Sequence, residues 1–344
     1  MINFECDYLE GAHPRILERM ITCNMEQSVG YGCDEHCDRA RALLAEETGV
    51  PADRIHLLVG GTQTNKTVIS SILRPWQGVL CAATGHINVH ESGAIESTGH
   101  KVLGIESSDG KLTDVMLAKW LKDFYADSTY SHMVQPGMVY ISESTELGGL
   151  YTKDELAALK KVCAAYSIPL FIDGARLGYA LAALEGDLTL KELKDVCDVY
   201  YIGGTKVGAL LGEAVVIVNP AYNDCFRTMM KQNGALLAKG RLLGIQYETL
   251  FEDGLYLQIS KHAVDCALKV RAVLEEKHIP VLLPSDTNQQ FPIFDNATLK
   301  KLSEKYIFSP WGNVDENHTA VRICTSWATT EENLDMLLKD LRSL

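Results

Sequence analysis

The sequence predicts an α/β protein: a mostly parallel sheet between helices, followed by a smaller C-terminal α+β domain. Three observations predict it. Runs of only four to six residues, nearly all apolar, recur between Ile55 and Ile202, as in strands buried on both faces. Helical patterns separate those runs, the alternation of a parallel sheet. After about Phe226 the alternation gives way to long helices and then short strands.

In order, helical periodicity covers residues 15–23 and 35–48, the second stopped by Gly49. A strand over 55–59 runs into Gly60-Gly61-Thr62-Gln63-Thr64-Asn65 and a helix ending at Arg74-Pro75. Next come a strand (78–82), a helix (88–98), a strand (101–105), a helix (113–125) and a strand (138–142). Thr152-Lys153-Asp154-Glu155 has the form of a capping box and opens a helix to Tyr166. The strand over 169–173 ends on a carboxylate, and the one beginning at Val199 runs through Gly203-Gly204-Thr205 to Lys206. Helices are then expected over 235–251 and 256–278, strands near 281–283, 290–294 and 320–326, and a last helix from Thr329-Thr330-Glu331-Glu332. This divides the chain into an N-terminal arm (1–14), a large α/β domain (15–248) and a small α+β domain (249–344).

Composition narrows the function. The 32 Lys plus Arg against 45 Asp plus Glu leave a net charge of −13, which disfavours nucleic acid and anionic membrane as partners. No apolar run approaches the ~18 residues of a membrane span. The N-terminal residues lack the basic-then-apolar pattern of a secretion signal, so a cytoplasmic location is expected. The 10 cysteines include no CxxC pair and read as reduced thiols. Cys33, His36 and Cys37 lack a fourth ligand nearby, and no metal is expected. The Gly60–Thr67 segment fails as a nucleotide P-loop because Asn65 stands where a Gly must precede Lys66. Gly30-Tyr31-Gly32 fails as a dinucleotide fingerprint, since Glu35 holds the third Gly position and no strand precedes it. What survives is a strand, a Gly-Gly-Thr turn and a helix N-terminus, which together hold one phosphate through backbone N–H groups.

Three pieces converge: that anion site, Asp173 at the end of one apolar strand, and Lys206 just past another. In an open parallel sheet the carboxyl ends of strands face the ligand crevice. Acid and lysine stand 33 residues apart, which leaves room for one helical crossover. An acid, an amine and a phosphate cradle are what pyridoxal phosphate needs: a lysine for the Schiff base and an acid to keep the pyridine nitrogen protonated.

Gly61-Thr62-Gln63-x-Asn65, His86 followed by Glu91, Asp173-Gly174-Ala175-Arg176 and Thr205-Lys206, in this order, resemble the threonine aldolase and β-eliminating lyase family of aspartate-aminotransferase-like (fold type I) enzymes. The resemblance runs from Asp7 to Arg322 and implies a pyridoxal 5'-phosphate enzyme cleaving the Cα–Cβ bond of L-threonine or L-allo-threonine to glycine and acetaldehyde. Two alternatives stand beside it: β-elimination or another hydroxy-amino-acid lysis on the same coenzyme, and, from a different class, a non-catalytic phosphate-binding module. By resemblance, Gly61, Thr62 and Gln63 bind the phosphate, Lys206 is the coenzyme lysine, Asp173 the pyridinium partner and His86 the stacking imidazole. Arg176 contacts the ring hydroxyl or the substrate carboxylate, and Arg322 is the other carboxylate-binding arginine. Lys239 or Arg241 reaches a phosphate, often across a subunit interface. Tyr31 and Asp7 help hold the substrate, and His86 or His132 takes the β-hydroxyl proton. A homodimer or homotetramer with shared sites is implied. Two departures mark this sequence: the Asp7-to-Pro14 stretch is longer than the family's by about two residues, and Val207 replaces the Gly that usually follows the lysine.

Overall fold

A computed structural model describes residues 1–344. β1 (Ile2–Asn3) leads to α1 (Pro14–Thr22) and α2 (Glu35–Thr48). Then follow β2 (Ile55–Leu58), α3 (Gly61–Ile72), β3 (Gln77–Ala82), α4 (His86–Val89), β4 (Val102–Ile105), α5 (Asp114–Ala126), β5 (Gln135–Ser142), α6 (Lys153–Ala165) and β6 (Leu170–Asp173). The large domain continues with α7 (Leu177–Ala183), α8 (Leu193–Val196), β7 (Val199–Gly203), β8 (Glu213–Ile217), α9 (Phe226–Gln232) and α10 (Arg241–Phe251). The long α11 (Leu255–Glu276) precedes β9 (Gln289–Gln290), β10 (Ile293–Asp295), α12 (Asn296–Leu302), β11 (Tyr306–Ile307), β12 (Ser309–Asn313), β13 (His318–Cys324) and α13 (Glu331–Arg342).

The large sheet has the order β2-β8-β7-β6-β5-β3-β4. Only β8 runs against its neighbours, so the sheet is mostly parallel as expected. Alternation inside each short strand feeds two cores. Leu170, Ile172, Tyr200 and Ile202 point to one face, and Phe171, Val199 and Tyr201 to the other. Burial on both faces explains why these strands read as continuous apolar runs. A third core fills the small domain, and α11 spans the two domains: Ala263 and Val264 pack in the large core, Cys266 and Val270 in the small one.

The caps follow the sequence. Asp34 caps α2 by accepting from the Cys37 N–H, and Gly49 ends that helix with φ 66°. Thr152 and Glu155 form the reciprocal capping box. Three expectations are corrected. The helix over 88–98 is broken into α4 and a 3₁₀ turn at Glu96–Thr98, because Ser92 and Gly93 both take positive φ. The helix expected from residue 235 begins at Arg241. The strand near 281–283 is a single bridge from Val281 to Pro292. Strand β8, absent from the sequence reading, is fully buried between β2 and β7.

The arm ties the two domains together. β1 pairs with β11, Phe4 O accepts from Cys324 N, and His13 N donates to Gly208 O just past Lys206.

Candidate active site

The carboxyl ends of β2, β5, β6 and β7 open into one cavity of about 350 Å³, which includes Tyr8, Gly61, His86, Asp173, Arg176 and Lys206 in its lining. Acid, lysine and anion cradle are therefore brought together as the strand ends predict. Close chain crossing makes this possible: a Cβ on Gly174 would lie 1.8 Å from Tyr201 O, so the turn after Asp173 passes β7 only as glycine.

Asp173 is 4% exposed and saturated with donors. Its Oδ2 accepts from Asn65 Nδ2 at 2.9 Å and Tyr140 OH at 2.5 Å, its Oδ1 from Tyr201 OH at 2.5 Å and Ala175 N at 3.0 Å. Burial alone raises a carboxylate's pKa, but the two tyrosines, His86 and Asn65 more than offset it and hold Asp173 below its usual value. It is a fixed anion on the cavity floor. Asn65 also donates to Glu91 Oε1 at 2.8 Å, and the same oxygen meets His86 Nδ1 at 2.8 Å. That bond fixes the imidazole against the cavity. Desolvation pulls the His86 pKa down, while Glu91 and Asp173 raise it further, for a net rise.

Lys206 is half-buried and lines the same cavity as this acid. Desolvation and the Arg176 charge lower its pKa, and Asp7, Asp173 and Glu213 partly resist. A lysine so placed gives up its proton more readily than one in water. Its carbonyl accepts from Tyr179 OH at 2.5 Å, which pins the loop.

α3 starts at the cavity wall with Gly60 as an N-cap that has no side-chain bond, and the amides of Gly61, Thr62 and Gln63 meet no protein acceptor. A Cβ added at Gly60 would meet nothing within 4 Å. Free amides at a helix N-terminus fit a phosphate. With an acid for a ring nitrogen and an amine for an aldehyde, the donor set fits pyridoxal 5'-phosphate. The Gln63 side chain turns elsewhere, accepting from Val59 N and donating to Asn233 O.

The arginines are placed differently from one another. Arg176 lines the cavity, and its Nε and Nη2 form a two-bond pair with Asp7 at 2.7 and 2.9 Å. Asp7 also accepts from Asn288 Nδ2 at 3.0 Å. Burial would raise the Asp7 pKa, but Arg176 and Lys206 bring it down to about 2. Asp7 therefore holds Arg176 rather than facing the cavity. Arg322 lies outside the cavity lining, over the Trp311 ring at 5.1 Å, donating to Gln289 Oε1 and Glu5 O. Its Nε is buried without a partner.

Besides Asp7 and Arg322, four more expected residues are not brought to this cavity within the chain. His132 is exposed on a turn before the amino end of β5, the opposite edge of the sheet. Tyr31 is half-exposed under Lys231 Nζ at 4.6 Å, and Lys239 is exposed. Arg241 is spent on Asn24 O, Glu26 O and Ser28 Oγ. The Cys33, His36 and Cys37 group does not converge either: His36 sits between Glu26 and Glu248, and Cys37 faces Gly240 O.

Sequence reasoning missed Tyr140, Tyr201, Glu146 and Glu213. Glu146 lines the cavity and accepts from His86 N at 2.9 Å and Ser142 Oγ at 2.7 Å. A signal existed for Glu213, a lone carboxylate opening the apolar run Ala214–Ile217.

Comparison with known proteins adds what geometry leaves open. A family model described as Beta-eliminating lyase matches residues 3–297. A low specificity L-threonine aldolase of a Pseudomonas strain is 29% identical over 349 residues, covering 99% of this chain and 97% of the relative. The Saccharomyces cerevisiae low specificity L-threonine aldolase is 24% identical over 278 residues, 79% of this chain and 70% of that one. Among solved structures, Leishmania major threonine aldolase superposes with a TM-score of 0.96 at 41% identity, over 100% of this chain and 99% of that one. Thermus thermophilus aspartate aminotransferase shares the fold, with a TM-score of 0.71 at 15% identity over 100% and 91% of the two chains.

Proposed function

From the premise that this chain belongs to the beta-eliminating lyase family, we propose that it cleaves the Cα–Cβ bond of L-threonine or L-allo-threonine to give glycine and acetaldehyde. The fold is the aspartate-aminotransferase type, and the chain is a pyridoxal 5'-phosphate-dependent carbon–carbon lyase. The observation that carries the reading is the meeting of Lys206, Asp173 and the open N-terminus of α3 around one cavity.

Bound there, pyridoxal 5'-phosphate supplies an aldehyde for an amine and a protonated ring that accepts the electron pair released at carbon. The residues do the rest. Asp173, an anion fixed by four donors, holds a proton on the ring nitrogen. Lys206 provides the amine. Gly61, Thr62 and Gln63 anchor the phosphate through their amides. Arg176, oriented by Asp7, would bind the substrate carboxylate, and Arg322, whose buried Nε has no partner, would join it on leaving Gln289 and Glu5. His86, with Nδ1 held by Glu91, keeps Nε2 for the β-hydroxyl proton.

A second copy of the chain completes the enzyme in this reading. Ile21, Met25 and Val29 are 77%, 87% and 68% exposed in the same N-terminal region as Tyr31, and Arg241 binds the loop between them. No helix is long and apolar enough to cross a membrane, and we assign the enzyme to the cytoplasm.

The test is to supply L-threonine and L-allo-threonine to purified protein and assay acetaldehyde against ammonia plus keto acid. Acetaldehyde is expected; ammonia without aldehyde rejects the aldolase reading in favour of β-elimination. Wild-type protein is expected to be yellow, and Lys206→Ala colourless and inactive.

A further inference from the structure

The cavity is walled by the large domain with one exception: of its lining residues, only Tyr8 comes from the arm. The residue before it fixes where it stands. Asp7 is fully buried, held by Arg176 through two bonds and by Asn288 through one. The chain is buried again at Ala12, and His13 N donates to Gly208 O. Residues 8–11 between these anchors are all exposed, an arch whose first residue lines the cavity. Tyr8 is 55% exposed, and its ring centroid stands 6.0 Å from Lys206 Nζ. The other apolar lining residues are Val59, Ala175, Leu211 and Tyr201, and Tyr201 is tied through its hydroxyl to Asp173. Tyr8 is thus a large apolar surface at the lysine that gains burial when a ligand fills the space.

In the function proposed above, the substrate amine takes the place of the Lys206 nitrogen, and Arg176 holds the carboxylate. Tyr8 is beside both. Its ring faces the first, and it follows in sequence the residue that orients the second. With bonds of about 1.5 Å, the methyl of threonine lies three bonds and about 3–4 Å from its amine nitrogen. Carbon atoms touch at about 3.5–4 Å. A ring centred 6.0 Å from that nitrogen is therefore met by a methyl group, and it stands where an aryl group would extend.

We infer that Tyr8 limits the size of the β-substituent: its ring is the wall that the group on Cβ meets, so the site takes amino acids with a small alkyl group there over those with an aryl group. The inference rests on Lys206 being the coenzyme lysine and Arg176 the carboxylate partner, and it adds the substrate class.

The experiment compares wild type with Tyr8→Ala and Tyr8→Phe, all loaded with pyridoxal 5'-phosphate. Binding is read from the visible absorbance on adding L-2-aminobutyrate or L-phenylalanine, which carry methyl and phenyl on Cβ and lack the hydroxyl that cleavage needs. Turnover is read as kcat/KM for acetaldehyde from L-threonine and benzaldehyde from L-threo-β-phenylserine. In Tyr8→Ala the preference for methyl over phenyl is expected to fall about tenfold or more in both readouts. Tyr8→Phe keeps the ring and with it the wild-type preference. A side chain that only steadied the arch would change both compounds alike, and an unchanged ratio in Tyr8→Ala overturns the inference. A stronger preference for methyl overturns it too, since the ring is then a stacking platform for aryl groups. Wild-type absorbance that responds to neither amino acid overturns the coenzyme reading and this inference with it. A response to both, with no aldehyde from either substrate, overturns the aldolase reading alone, and the binding ratio still decides on Tyr8.

Discussion

At the scale of single residues, the site is a set of charges fixed by neighbours rather than by solvent. Asp173→Asn keeps the shape and removes the anion, so kcat for aldehyde release is expected to fall by at least about 10²-fold with the fold intact. Asp7 makes a separate prediction about acid stability. Its folded pKa, about 2, lies below the ordinary value of 3.8. Its contribution, about 2 kcal/mol, is fully present above the unfolded value and is lost as pH falls from about 4 through 2. Asp7→Asn strands the Arg176 charge in the interior and is expected to cost about 3–5 kcal/mol at neutral pH. Denaturant unfolding at pH 7 and pH 3 checks both statements: the variant should lose less than wild type between the two. Asp173 and Lys206 were legible in the sequence because each follows an apolar strand, where the strand end itself sets direction. Tyr140 and Tyr201 were not, since their hydroxyls reach Asp173 only because β5 and β7 flank β6, and strand order is not written in any one strand.

Elements explain the anion cradle and its limits. Gly60 caps α3 at the cavity lining, where an added Cβ would meet no protein atom within 4 Å. Gly60 has φ −171°, extended backbone that any residue adopts. Gly60→Val is therefore expected to leave unfolding within about 0.5 kcal/mol of wild type while weakening coenzyme affinity at least about tenfold, measured by absorbance titration. Thr152→Ala breaks the capping box of α6 and is expected to cost about 1 kcal/mol in denaturant unfolding, with catalysis unaffected. Capped helices such as α2 and α6 were legible from local residues. The break after α4 was not, because it depends on two successive positive φ values at Ser92 and Gly93, and Ser gives no warning of one. β8 escaped because it turns straight back from β7, where the pattern expects a helical crossover.

The whole molecule decides what a single chain leaves unfinished. Tyr31, Lys239, Arg241 and His132 came from the family resemblance alone, and in one chain they lie away from the cavity. In the function proposed above they act from a second copy of the chain, and size measurement by light scattering is expected to give a dimer or tetramer. A fully active monomer would remove those four residues from the site altogether. Nothing in one sequence encodes a neighbour's position, so this part of the site could be reached only by likeness.

The arm described above also sets an order of events during synthesis. Asp7 is translated long before Asn288 and the strand that pairs with Ile2 and Asn3. Lysine, acid and cradle are all translated well before that strap can fasten. A nascent chain therefore carries lysine, acid and cradle before Asn288 can brace Asp7 against Arg176.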